Sequence, residues 1–206
     1  MHILEYENYE ETKKHYDTDF SYNTYPCSIP LDFPCVPLHW HRETEIIYVK
    51  SGRGMVNVDG ISYPVVKDSI VFILPGRLHS IAQYESEAFS YENIIFDMQM
   101  LIPKEGDTMS FNFFHRLQNF PEDFPVLIDR VPKAHRAVQI CLDRIDDLRT
   151  TYPAGYYLGI KFTIIPAATV VVPCVRLFQR KCGWMPAERM CLMHPTSTWY
   201  LQFLTS

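Results

Sequence analysis

The sequence predicts a mainly β protein followed by a smaller helical part. Short β-rich runs, each bounded by turn residues, follow one another between residues 44 and 97. Aromatic residues make up 14% of the 206-residue chain, which suits a sheet with an aromatic-lined interior. After residue 105 the apolar residues recur at three- and four-residue steps, as in an amphipathic helix. We therefore expect a β-sandwich or barrel and then helices.

The β part can be assigned strand by strand. Residues 45–50 (EIIYVK) form a β-rich run that we expect to end in a turn at Ser51–Gly54. Residues 55–58 then reach Asp59-Gly60, the strongest short hairpin signal, and residues 61–66 return. Two further strands are predicted at 70–74, before Pro75-Gly76, and at 89–97.

The chain on either side of these strands has a different pattern. Residues 1–36 are rich in Tyr, Asp and Pro, with weak periodicity, and are predicted to be an arm. Pro132 is placed to begin an amphipathic helix, and Ala154 to Phe162 is a candidate start for a second, antiparallel helix. The predicted organisation is an arm at 1–36, a β-barrel at 37–105, a helical segment at 106–161 and an atypical tail at 162–206.

Composition excludes several classes of function. The formal net charge is −5, and no basic stripe occurs in the first 160 residues, so charge gives no indication of nucleic-acid binding there. The six cysteines form no CxxC pair and are expected to be free thiols in a reducing compartment. The N-terminus is unlike a secretory signal, and the longest apolar run is interrupted by Pro166 and Pro173. We expect a soluble, cytoplasmic protein with no membrane partner.

The stretch PLHWHRETE, residues 37–45, carries the strongest chemical signal. His39, His41 and Glu45 are separated by even steps, so an extended strand would direct all three side chains to one face. His79 follows a buried strand and would reach the same interior point in a closed barrel. Three imidazoles and a carboxylate suit a divalent transition metal such as Fe, Ni, Mn or Zn. Trp40 would point away from these ligands.

These residues resemble the motifs of the cupin superfamily. Its first motif is His-x-His, three residues, Glu, six residues, Gly, and His39, His41, Glu45 and Gly52 meet every spacing. In the second motif Gly76 and His79 match. Pro75, however, is one residue closer to the histidine than usual, and Gln83 stands where the motif has asparagine. The resemblance implies a double-stranded β-helix, or jelly-roll barrel, with a metal held by the four ligands.

A narrower resemblance is to the N-terminal sensing and dimerisation domain of AraC-type transcription regulators. It rests on residues 37–81 and on the strand at 91–97, and it covers roughly residues 35–160. It implies a barrel that binds a sugar or another small metabolite, helices that join two subunits in a homodimer, and DNA binding by a separate C-terminal domain. The ligand-binding candidates are His39, His41, Glu45, His79, Arg53 and Tyr48.

The end of the chain departs from that family. After Lys161 only 45 residues remain, whereas the two helix-turn-helix units of the family need on the order of 100. Prolines such as Pro166 are expected to break long helices there. No helix-turn-helix pattern is visible, so we expect no operator binding by this chain. We interpret the tail as a natural variant, a truncation, or the product of a reading-frame shift.

Alternatives remain open from the residues alone. The leading hypothesis is a non-enzymatic regulator module that senses a small molecule. The second is a standalone metal-dependent cupin enzyme of the dioxygenase, isomerase or decarboxylase type. The third is a metabolite-binding barrel that acts alone. The His/Glu set could also be polar packing without metal, Arg53 and Tyr48 could be structural, and packing or solvent roles are expected for His15, His115, His135 and His194.

Overall fold

The computed structural model describes residues 6–16, 20–102, 126–130 and 132–171. The chain divides into two compact units, Met1–Val131 and Pro132–Ser206, each of which is described by itself. The predicted mainly β fold followed by helices is confirmed. Across the described part of the chain, no helix is both long and apolar enough to cross a bilayer.

The first unit is a curled antiparallel sheet. Its strand order is β1-β7-β3-β6-β2, and β4 and β5 both pair with β3. The strands are β1 (Tyr22–Ile29), β2 (Val36–His39), β3 (Thr44–Val58), β4 (Ile61–Val66), β5 (Ile70–Ile73), β6 (His79–Gln83) and β7 (Phe89–Phe96). Short 3-10 turns follow at Met98–Leu101 and Ile128–Arg130.

Strand β3 is continuous through Ser51–Gly54, so the predicted turn there is wrong. The first part of β3 pairs with β5 and its second part with β4 and β6, while β7 pairs along it from Thr44 to Gly52. The register shifts between Val49 and Ser51, and Gly52 has φ +75°. A Cβ at Gly52 would lie 2.1 Å from the Ala88 carbonyl oxygen. The glycines that resemble a turn therefore allow a bend within one strand.

The predicted hairpin at Asp59-Gly60 is confirmed. Asp59 has φ 50° and Gly60 φ 82°, the left-handed pair that a two-residue hairpin turn requires. Inside the curled sheet, buried aliphatic residues of β3 to β6 pack with Phe89 and Tyr91 of β7 in one core cluster. Burial of each such large side chain contributes about 1.5–3 kcal/mol, which fixes which face of each strand turns inward.

The predicted arm contains a strand of the sheet. Tyr22–Ile29 pairs with β7 along its whole length, from Tyr22 opposite Phe96 to Ile29 opposite Phe89. Ahead of it, Glu11 N–H donates to the Trp40 carbonyl at 2.8 Å, and Trp40 N–H donates to the Tyr9 carbonyl at 2.9 Å. The N-terminal segment 6–16 is therefore held against the link that follows β2.

The second unit is a pair of helices, α1 (Pro132–Thr151) and α2 (Tyr156–Val171). The predicted start at Pro132 is confirmed, and the apolar stripe of α1 is buried. A Cβ at Gly159 would lie 3.0 Å from a Leu148 methyl group, so the glycine allows close packing of the two helices. Pro166 was expected to break the helix, yet α2 continues five residues beyond it. Pro166 cannot donate to the Phe162 carbonyl and its ring crowds that carbonyl, but more than two turns of helix precede it.

The predicted boundary at 161/162 falls inside α2, and residues 172–206 of the tail lie outside the described residues. His115 and His194 also lie outside them. Among the described helices no DNA-binding domain is evident.

Candidate functional site

Four side chains from separate parts of the sheet converge on one point. One ligand atom from each of His39, His41, Glu45 and His79 lies within 4.8 Å of all the others. His39 ends β2 and His79 begins β6, and the two residues are directly paired across these strands. Glu45 lies on β3 between Ile73 of β5 and Ile95 of β7. The sheet thus brings together all four residues of the sequence motif.

The link between β2 and β3 bends, and this bend places His41 beside Glu45. Four residues of extended strand would span about 13 Å. Yet His41 Nε2 is 2.8 Å from Glu45 Oε2, because the chain turns at residues 42 and 43. The expectation that an extended strand would align these side chains is therefore wrong for His41, although the side chains do meet. Trp40 points elsewhere, as expected, and stacks on Tyr6 with ring centroids 4.7 Å apart.

Backbone carbonyls orient all three imidazoles. The Nδ1 atoms of His39, His41 and His79 lie 2.9, 3.1 and 2.8 Å from the carbonyl oxygens of Pro37, Glu43 and Arg77. A carbonyl only accepts, so each Nδ1 carries the proton and donates it. This assignment leaves Nε2 of each ring directed at the common point, which is the tautomer that metal-binding histidines adopt.

Glu45 and His79 hold each other in charged form. Burial alone would raise the pKa of Glu45, but the imidazoles of His79 and His41 outweigh it and hold that pKa well below its ordinary range. Burial would lower the pKa of His79, and the Glu45 carboxylate raises it instead. Burial, followed by the neighbouring His79, lowers the pKa of His39. Glu45 Oε2 lies 2.8 Å from Nε2 of His41 and 3.0 Å from Nε2 of His79.

The donor set fits a divalent transition metal. Glu45 is 1% exposed, yet its Oε1 has no hydrogen-bond partner among the residues that the structure describes. A buried carboxylate oxygen without a partner is costly, and a cation at the convergence point would satisfy it. Three Nε2 atoms and a carboxylate can hold Fe, Ni, Mn or Zn, which would act there as a Lewis acid with open positions.

A cavity of about 280 Å³ lies beside this cluster. His39 and Glu45 form part of its wall, so a molecule in the cavity would lie next to a bound metal. The side chains of Tyr25, Phe33 and Tyr91 supply an aromatic wall. Small-molecule sites have this composition, an apolar lining with a few convergent polar groups.

The N-terminal segment supplies a part of the site that the sequence did not reveal. His15, expected to be a solvent or packing residue, is 5% exposed and lines the cavity together with Glu11. His15 Nε2 lies 3.2 Å from Glu11 Oε2, and the same oxygen lies 3.6 Å from His39 Nε2. The hydrogen bond from His15 lowers the pKa of Glu11. The only signal in the sequence was a glutamate four residues before a histidine.

Two ligand-binding candidates lie away from this site. Tyr48 follows Glu45 by an odd number of residues on β3 and is not part of the cavity wall. Arg53 pairs with Glu87 at 3.0 Å and lies over the Tyr84 ring, and it too is absent from the wall. The structure therefore does not bring these two residues to the four-residue cluster.

Residues 34–105 match the family model described as the AraC-like ligand binding domain. The recognition made from the sequence is confirmed over this segment, which contains all four convergent residues. Residues 34–105 are thus similar to an AraC-like ligand-binding domain, and the match covers about a third of the chain. A comparison with curated proteins found no match.

Several solved structures are similar to parts of the chain. A cupin protein from Bacteroides fragilis is 22% identical, with a TM-score of 0.36, over 44% of this chain and 75% of that one. A cupin 2 conserved barrel domain protein from Salinispora arenicola is 20% identical, with a TM-score of 0.34, over 48% and 73%. A protein described as a predicted oxalate decarboxylase from Thermotoga maritima is 26% identical, with a TM-score of 0.33, over 35% and 64%.

Proposed function

We propose that this chain carries the small-molecule-sensing domain of an AraC-type transcription regulator, and that the sensed metabolite binds in the cavity beside a divalent metal. The observation that carries the proposal is the match of residues 34–105 to an AraC-like ligand-binding domain, together with the cavity bordered by His39 and Glu45. In such a regulator a separate domain binds DNA, and this domain supplies the response to the metabolite. The cytoplasm is the compartment in which that role is carried out.

The buried polar atoms around the cavity indicate what the metabolite offers. Within the described part of the chain, Glu45 Oε1 and Asn93 Oδ1 both lack hydrogen-bond partners, and both residues line the cavity wall. Both atoms accept hydrogen bonds, so a bound molecule has to donate to them or place a cation beside Glu45. A sugar or another hydroxyl-rich metabolite with an apolar face for the aromatic wall meets these requirements.

A titration of metals and metabolites tests this role. Metal-free protein is loaded with Ni²⁺, Zn²⁺, Mn²⁺ or Fe²⁺, and sugars and other hydroxyl-rich metabolites are then titrated by calorimetry. Val36 lines the cavity, so Val36→Trp is expected to abolish metabolite binding while metal binding persists. Val66→Trp, an exposed position on β4, is the matched control and is expected to bind normally. Metabolite binding that survives Val36→Trp would contradict the assignment of the cavity.

The helical unit is proposed to join two copies of the chain. Several large apolar side chains are exposed on it, among them Tyr157 at 47%, Leu158 at 61% and Phe162 at 50%. A second copy of the same face would cover them, as in a twofold-symmetric dimer. Leu158→Glu is expected to convert a dimer to a monomer in sedimentation velocity, and Leu31→Glu, at an 81% exposed position in the first unit, is expected to leave it a dimer.

A metal-dependent cupin enzyme is the second candidate. One observation favours it: the convergent ligand atoms border the cavity, so a bound molecule would lie within reach of the metal. Turnover of a bound metabolite by the metal-loaded protein, absent from His79→Ala, would support an enzyme. Binding without turnover would support the sensor.

A further inference from the structure

The N-terminal segment places a second carboxylate at the edge of the four-residue cluster. Glu11 Oε2 lies 3.6 Å from His39 Nε2, the nitrogen that faces the convergence point. Glu11 also lines the cavity together with His39 and Glu45. Nothing in the cupin motif includes a residue that precedes the barrel, so Glu11 is an addition made by this chain's own fold.

Glu11 lies beside the four residues whose ligand atoms are within 4.8 Å of one another, but it is not one of that set. Two atoms about 2.1 Å from a common metal, at tetrahedral or octahedral angles, lie about 3.0–3.4 Å apart. Glu45 Oε2 stands 2.8 and 3.0 Å from its two imidazole nitrogens, and Glu11 Oε2 stands 3.6 Å from that of His39. The contact with His39 is therefore slightly longer than that between two ligands of one ion, and Glu11 Oε2 has to move toward the convergence point when it binds the metal.

His15 holds the Glu11 carboxylate in this position. Its Nε2 lies 3.2 Å from Glu11 Oε2, and its ring packs edge-on against His41 with centroids 5.6 Å apart. The His15 carbonyl in turn accepts from Asn23 Nδ2 at 2.7 Å and from the Tyr25 hydroxyl at 3.1 Å. Strand β1 thus anchors the segment and directs its carboxylate inward.

We propose that Glu11 is a further ligand of the metal, so that a bound ion ties the N-terminal segment to the barrel. This inference rests on the metal centre of the proposed function. Binding and docking are then coupled, and linkage requires that the ratio of the metal affinities of the docked and undocked states equals the factor by which the metal stabilises the docked segment. The metal would set how firmly residues 6–16 cover the cavity.

The test measures both sides of this linkage with Ni²⁺ alone as the probe. Ni²⁺ affinity is measured by calorimetry, and amide exchange of residues 6–16 is followed by mass spectrometry with and without Ni²⁺. The variants are Glu11→Gln and the matched control Glu10→Gln, whose carboxylate pairs with exposed Arg42 at 3.2 Å outside the cavity. We expect Glu11→Gln to weaken Ni²⁺ binding about tenfold or more, and Glu10→Gln to leave it unchanged.

The exchange data distinguish a ligand from a structural residue. In the wild type, Ni²⁺ is expected to slow amide exchange of residues 6–16 by about the factor by which Glu11→Gln weakens Ni²⁺ binding. In Glu11→Gln, Ni²⁺ is expected to leave this exchange unchanged. If Ni²⁺ binds both proteins equally and leaves exchange unchanged, Glu11 is not a ligand, while the four-residue centre stands. If exchange in Glu11→Gln is faster by one constant factor with and without Ni²⁺, Glu11 only docks the segment, and the inference fails. If the wild type binds no Ni²⁺, the metal centre fails and this inference with it.

Discussion

Gly52 is the point at which a small substitution should have a large effect. Its φ of +75° is left-handed, and an added Cβ would lie 2.1 Å from the Ala88 carbonyl oxygen and 2.8 Å from Phe89 Cα. Both contacts are to backbone atoms of the adjacent segment of the same chain, which cannot rotate away as a side chain can. Gly52→Ala therefore requires the strand pairing around Gly52–Phe89 and Ser51–Ser90 to open.

The magnitude follows from two contributions. The left-handed conformation costs an alanine roughly 1–2 kcal/mol. Losing two strand-pairing hydrogen bonds adds about 1 kcal/mol each. The expected loss is therefore about 3–4 kcal/mol. Gly60→Ala is the matched control, because Gly60 has φ +82° but no atom within 4 Å of the added Cβ. It should cost only the conformational part, roughly 1–2 kcal/mol.

Urea unfolding followed by circular dichroism measures both variants. Subtracting the loss of unfolding free energy in Gly60→Ala from that in Gly52→Ala removes the conformational cost. The remainder is the cost of the steric overlap, expected to be about 2 kcal/mol. Because Gly52 allows one strand to carry Glu45 and also to pair with β6, which begins at His79, Gly52→Ala should weaken metal binding as well. Equal stability of the two variants would show that the Ala88 backbone yields without cost and would refute a steric requirement for glycine at position 52.

Three further predictions concern the site. At 100 times its Kd, Ni²⁺ should raise the melting temperature of the wild type by roughly 5–10 °C. The variant His79→Ala should lose this shift, and the control His135→Ala should keep it. An equal shift in both variants would show that His79 is not a ligand of the metal. In metal-free protein the lowered pKa of Glu45 stabilises the fold above the ordinary carboxyl value, and this is lost as pH falls through the folded pKa. The raised pKa of His79 stabilises it below the ordinary imidazole value, and this is lost as pH rises through the folded pKa. The stability of the wild type over Glu45→Gln should therefore peak between about pH 5 and 6.5, and a flat difference would contradict the buried ion pair. Burial raises the pKa of the Cys27 thiol to about 11, which keeps the reactive thiolate scarce. At pH 8, iodoacetamide should therefore alkylate Cys27 at least about tenfold more slowly than exposed Cys35, as measured by peptide mass spectrometry. Equal rates for the two cysteines would contradict this effect of burial.

The convergence of the four site residues could be predicted because their spacing is local and their chemistry is specific. His39, His41 and Glu45 lie within seven residues, and His79 follows a recognisable buried strand. The Asp59-Gly60 turn and the start of α1 at Pro132 could be predicted for the same reason, since each depends on the conformational preference of one or two residues.

Features that depend on a distant partner could not be predicted. Gly52 resembles a turn residue until β7 is placed beside it, and only then does the Ala88 carbonyl explain the glycine. Glu11 and His15 carry no motif, and their role follows from the packing of the segment against Trp40 and β1. Arg53 was a candidate for ligand binding, but the strand face that it occupies depends on a register shift that the sequence does not show.

The fixed orientation of the imidazoles has a consequence for the charge of the centre. Without metal, His79 donates from both ring nitrogens, to the Arg77 carbonyl and to Glu45, and the Glu45 carboxylate favours the charged ring. A divalent ion at the convergence point would need the lone pair of that Nε2 and would therefore take the place of its proton. Loading the centre would then exchange a proton for an ion, so metal affinity should fall as the pH falls.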